Sequence, residues 1–109
     1  MSEGLGTFEQ AVLVAIVSLE NEAYGRAILE EVETRLQRKV AAGAIYATLD
    51  RLEVKQLIGS ELGAGTPKRG GRPRRFYALR PAGLRALDES RATARNLWRG
   101  IPRTLRRRA

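Results

Sequence analysis

The 109-residue chain carries 20 Lys and Arg against 12 Asp and Glu, a formal charge of +8, with neither His nor Cys. It has the size of one domain, since domains typically hold roughly 100–200 residues. That excludes a two-lobed enzyme, and the missing side chains exclude disulfides, Cys/His zinc sites, thiolate nucleophiles and Ser-His-Asp triads.

Residues 7–19 are predicted as a helix, with Thr7 as its cap and Gln10 closing a Thr-x-x-Gln box. Phe8, Val12, Ala15, Ile16 and Leu19 recur at a spacing of three or four, while Leu13, Val14 and Val17 widen the apolar surface beyond one stripe. Covering that breadth in so short a chain suggests a second subunit. The longest apolar run, Ala11 to Val17, is seven residues, where a bilayer span needs about 20. The start Met1-Ser2-Glu3-Gly4 lacks the basic segment of a secretory signal. A cytoplasmic protein with no membrane partner is expected.

Asn21 or Glu22 breaks the chain, and a second helix is predicted over residues 23–37. Its inner face is Tyr24, Ile28, Val32 and Leu36; Glu30, Glu31 and Glu33 lie outside. A third helix, residues 42–55, turns Ile45, Leu49 and Leu52 inward. Its opposite face carries Gly43, Tyr46, Ala47 and Arg51, small or hydrogen-bonding groups suited to close approach.

Two short strands, residues 58–62 and 74–79, then flank a Gly/Pro-rich basic loop and make a hairpin with a longer connection than usual. Pro81 opens a fourth helix over residues 81–99, with Leu84, Leu87, Ala94, Leu97 and Trp98 as apolar contacts. Gly100 and Pro102 end it, and residues 102–109 read as a disordered basic tail.

Charge is segregated along the chain. Residues 1–34 hold seven glutamates and one arginine, residues 64–80 six bases and no acid, and residues 81–109 eight arginines and two acids. A solvated basic loop and tail is the plain explanation. A nucleic-acid footprint explains the clustering better, because phosphate neutralisation releases counterions.

Three helices followed by a basic-tipped hairpin form a winged helix-turn-helix: a mainly α fold with a two-stranded β-wing. Residues 7–80 make its DNA-binding domain and residues 81–101 a separate last helix. In such a fold the third helix enters the major groove of double-stranded DNA while neighbouring phosphate contacts set its register. The candidate DNA-binding residues are Tyr24, Gly43, Tyr46, Ala47, Arg51, Lys68, Arg69, Arg72 and Arg74. Tyr46 can bond a phosphate or pack its ring on the second helix, and the two are compatible. Arg51 reaches DNA or pairs with Glu53 or Glu20. Arg74 and Arg75 alternate along their strand and point opposite ways.

Three segments carry a family resemblance in order: Ala23-Tyr24-Gly25; Gly43-x-x-Tyr46-x-x-Leu49-x-Arg51-Leu52-Glu53; and Gly70-Gly71-Arg72-Pro73-Arg74-Arg75-Phe76-Tyr77-x-Leu79 with Gly83 beyond. From about Leu13 to Leu87 the chain resembles the PadR family of bacterial transcriptional regulators. The resemblance implies a homodimeric winged-helix repressor whose single C-terminal helix supplies the dimer interface, as in the family's short subgroup. Phe8, Val12, Leu84, Leu87, Leu97 and Trp98 are the expected interface residues, and a palindromic operator the expected target. Some short members hold flat aromatic molecules between paired tryptophans, so Trp98 is either a ligand-binding residue for a small aromatic effector or an interface aromatic. Three positions depart from the family pattern. Ala41-Ala42-Gly43-Ala44 replaces a Ser-Pro-Gly-Thr-like helix start, Gln56 stands where glycine is usual, and Arg80 where threonine is common.

No cofactor is implied. Catalysis is the weakest reading, because it would rest on carboxylates placed on exposed helix faces. A basic RNA-binding or ribosome-associated protein is the stronger alternative, but it calls for exposed stacking aromatics on a sheet, and Phe76 and Tyr77 lie in a two-stranded hairpin. A winged helix used only for protein contacts leaves the basic wing unexplained.

Overall fold

The central element is α1, Thr7–Leu19, which buries Ala11, Val12, Leu13, Ala15 and Ile16. A computed structural model describes residues 4–63 and 73–102. In it α1 packs against three further helices and a hairpin strand of its own subunit. Much of the breadth of its apolar surface is thus covered within one subunit, while Val17 stays 47% exposed. Val12 in particular is fully buried within the subunit, which removes it from the expected dimer interface. The cap also differs from expectation. Gly6 takes the capping position in extended backbone, its N–H donates to Glu9 Oε1 at 3.2 Å, and Gln10 Nε2 donates to the Leu5 carbonyl. Thr7 is the first helical residue.

After a 3-10 turn at Glu20–Glu22, α2 spans Gly25–Leu36. It starts two residues later than periodicity suggests, because Tyr24 is extended and both Ala23 and Tyr24 are bonded to the hairpin. The Ala23 carbonyl accepts the Tyr77 N–H at 2.8 Å, and Tyr24 bridges Phe76. Ile28 and Val32 enter the core. Gln37, left-handed at φ 55°, ends the helix, and Glu33 Oε2 accepts the Val40 N–H at 3.1 Å, which closes the turn into the next helix.

Helix α3, Ala42–Val54, buries Ile45, Thr48, Leu49 and Leu52. Its exit is a left-handed Gln56, φ 64°, with the Leu57 N–H returning to the Leu52 carbonyl at 3.0 Å. This is the closed helix end that glycine ordinarily provides.

Strands β1, Ile58–Leu62, and β2, Arg75–Leu79, pair antiparallel, with Ile58 opposite Leu79 and Leu62 opposite Arg75. Ile58 and Tyr77 close the core from the sheet side. Helix α4, Pro81–Leu97, follows. A Cβ on Gly83 would strike the Leu57 carbonyl and sit 3.2 Å from Leu79 Cγ, so only glycine lets the helix cross the sheet this closely. From Arg91 onward every residue of α4 except Ala92 is exposed. The molecule is elongated, 57 × 31 × 21 Å.

Candidate nucleic-acid interface

The outward face of α3 presents Gly43, Tyr46, Ala47, Asp50, Arg51 and Val54, all exposed. A Cβ added to Gly43 would meet nothing within 4 Å, so the subunit's own packing does not require glycine there. Tyr46 is half-exposed, at 49%. Its ring lies over Gly25, where a Cβ would come within 2.8 Å of Tyr46 Cε1. The packing reading of Tyr46 is thus realised with half of the residue still facing solvent. Arg51 pairs with neither Glu20 nor Glu53. Its Nη2 donates to Thr48 Oγ1 at 3.1 Å, while Glu53 accepts the Ser60 hydroxyl at 2.7 Å. Asp50 and Val54 continue the outward stripe of Gly43 and Ala47 at helical spacing, which is the signal by which they could have been picked out.

The turn entering α3 adds two exposed cations, Arg38 and Lys39, that the sequence reading passed over despite their position beside the helix start. The Arg38 guanidinium lies 6.0 Å from the centre of the Phe8 ring. Lys55 Nζ meets Glu9 Oε2 at 3.2 Å, tying the end of α3 to α1. Partial burial alone would raise the Glu9 carboxyl, but the Gly6 N–H and the Lys55 ammonium outweigh it and hold the group below its ordinary value. Burial, reinforced by the charge of Glu53, pushes the Tyr77 phenol up from its ordinary value.

At the wing base, Arg74 and Arg75 diverge as strand alternation requires. Arg75 Nη1 donates to Ser60 Oγ at 3.0 Å. The Arg74 guanidinium sits 3.9 Å over the Tyr24 ring centre, a contact that contributes about 0.5–1 kcal/mol at exposed sites. Tyr24 in turn meets Phe76 edge-on, with centroids 5.8 Å apart at 73°. Lys68, Arg69 and Arg72 lie outside the described residues.

The expected interface residues divide. Phe8 and Leu87 are half-buried against the core, Val12 is inside it, and Leu84, Leu97 and Trp98 are 50%, 72% and 59% exposed. An open groove of about 1160 Å³ runs between α4 and the start of α1, lined by Leu5, Glu9, Lys55, Arg85 and Leu97 among others. Trp98 is not among its lining residues. Among the described residues no group of three or more Asp or Glu could hold a metal ion, and no helix is long and apolar enough to cross a membrane.

The helix order, the hairpin and the exposed face of α3 define a winged helix-turn-helix protein. Residues 12–89 match the model of the transcriptional regulator PadR-like family, and the chain belongs to that family. It is 37% identical over 82 residues to the transcriptional regulator Rv3488 of Mycobacterium tuberculosis, covering 75% of this chain and 72% of that protein. Two solved structures are similar. A PadR-like transcription factor from Bacteroides fragilis has a TM-score of 0.68 at 28% identity, with 84% of each chain covered. A PadR family regulator from Eggerthella lenta has a TM-score of 0.65 at 30% identity, covering 87% of this chain and 80% of that one.

Proposed function

We propose that this regulator is a cytoplasmic, nucleoid-associated homodimeric repressor that binds a palindromic operator and is released by a small aromatic molecule. Residues 7–80 form the DNA-binding unit, and the α4 segment, residues 81–101, pairs the subunits through Leu84, Leu97 and Trp98. Helix α3 enters the major groove with Gly43, Tyr46, Ala47 and Arg51. Arg38 and Lys39 flank it on the phosphates, and Lys68, Arg69 and Arg72 supply backbone charge from the wing. The observation that carries this reading is the solvent-facing stripe of α3, whose small residues permit close approach while Tyr46 and Arg51 offer donors.

Selection from a random duplex library, followed by footprinting, tests it. A palindrome with half-sites about 34–36 Å apart, or a multiple of that turn, is the expected result. Enrichment of RNA over duplex, or of single asymmetric sites, overturns it. Light scattering checks the assembly, with a particle of twice the 12.1 kDa subunit mass expected. A chromophoric aromatic compound bound at the dimer centre should quench Trp98 and release the duplex.

A further inference from the structure

Three consecutive residues, Ala23, Tyr24 and Gly25, each hold a different part of the domain. The Ala23 carbonyl accepts the β2 N–H of Tyr77 at 2.8 Å. The Tyr24 ring receives Arg74 on its face at 3.9 Å and Phe76 at its edge, with centroids 5.8 Å apart. Gly25 leaves room for the Tyr46 ring of α3. Arg74 and Phe76 are two apart, so they share one side of the strand and grip Tyr24 together. Gly63, just beyond β1, admits the Phe76 ring, where a Cβ would come within 2.6 Å of it. The wing and α3 are thus tied to the same tripeptide. Rotating one relative to the other must break the strand bridge, the aromatic stack or the Tyr46 seat.

We propose that residues 23–25 are a positioning junction that holds the wing and α3 in one relative orientation, with Arg74 acting through its stack on Tyr24 and not as a contact to the duplex. This rests on the DNA-binding reading above. A wing held in place before binding pays no ordering cost on the duplex, so the junction raises affinity without touching DNA. Arg74 is suited to the task because its planar guanidinium stacks on an aromatic face while its stem packs beneath.

The test uses the full chain with Tyr24→Phe, Tyr24→Leu and Arg74→Met. Amide exchange by NMR without DNA reads the junction directly. Tyr24→Leu and Arg74→Met should each speed exchange of the Tyr77 amide about two- to fivefold, while the Leu49 amide in the core of α3 keeps its protection and Tyr24→Phe behaves as wild type. Affinity for one duplex, measured in parallel, reads the consequence. Tyr24→Leu, which removes no charge, should weaken binding as much as Arg74→Met. Unaltered Tyr77 exchange in both disruptive variants overturns the proposal. So does an affinity loss confined to Arg74→Met, which makes Arg74 a direct contact. A wild-type chain that binds no duplex refutes the DNA-binding reading instead, and the exchange measurement still decides the junction.

Discussion

Gln56 occupies the left-handed region at φ 64°, where a Cβ costs roughly 1–2 kcal/mol. Glycine removes that cost but gains freedom in the unfolded chain. Gln56→Gly should therefore stabilise the protein by about 0.5–1 kcal/mol, read as a higher urea midpoint at unchanged slope. Glu9 makes a second prediction at this scale. Its carboxyl is held below the ordinary value of 4.5 by Gly6 and Lys55. A depressed carboxylate stabilises the fold above its unfolded pKa and loses that contribution as the pH falls through the folded one. Wild type should exceed Glu9→Gln in unfolding free energy at pH 7, and the gap should shrink as the pH is stepped below 4.5. An undiminished gap in urea titrations at low pH would leave packing, not charge, as the role of Glu9.

At the scale of elements, α3 carries opposite charges on one exposed face. If this face meets phosphate-lined DNA, Arg51→Ala should weaken duplex binding by about tenfold and Asp50→Asn should strengthen it by roughly three- to tenfold at low salt. Mobility-shift titrations of the two variants must move in opposite directions. Helices α1 and α3 were readable from the sequence because each has a periodic apolar face that alone determines its position. The start of α2 was not, because Ala23 and Tyr24 are held by β2, more than fifty residues away in the chain. Local spacing carries no trace of such a pairing. The α1 cap was misplaced for a simpler reason: an extended Gly6, with Glu9 reaching back to its N–H, competes with Thr7 for the same task. The stripe of α3 was visible in the sequence, whereas the stack that takes up Arg74 depends on three-dimensional proximity.

For the whole molecule, charge and shape act together. Arg91 and Arg95, on the unsupported half of α4, and Arg99, just past its end, are exposed, while residues 1–34 carry seven of the glutamates; Arg103, the next in the arginine series, lies outside the described residues. If α4 crosses the partner's N-terminal helices, the two signs meet between subunits. Exposed pairs contribute only about 0–1 kcal/mol each, so they orient more than they bind. Reversing Arg91 and Arg95 to Glu should weaken dimerisation in analytical ultracentrifugation, most of all at low salt. A dimer left intact with only DNA affinity lost would move these arginines to the DNA surface. The same half of α4 ends at Trp98, 59% exposed and the one tryptophan in the chain. The protein therefore carries its own optical reporter at the tip of its longest helix. Emission near that of indole in water belongs to the separate subunit, and a blue shift that grows with protein concentration would follow the covering of that tip without any added label.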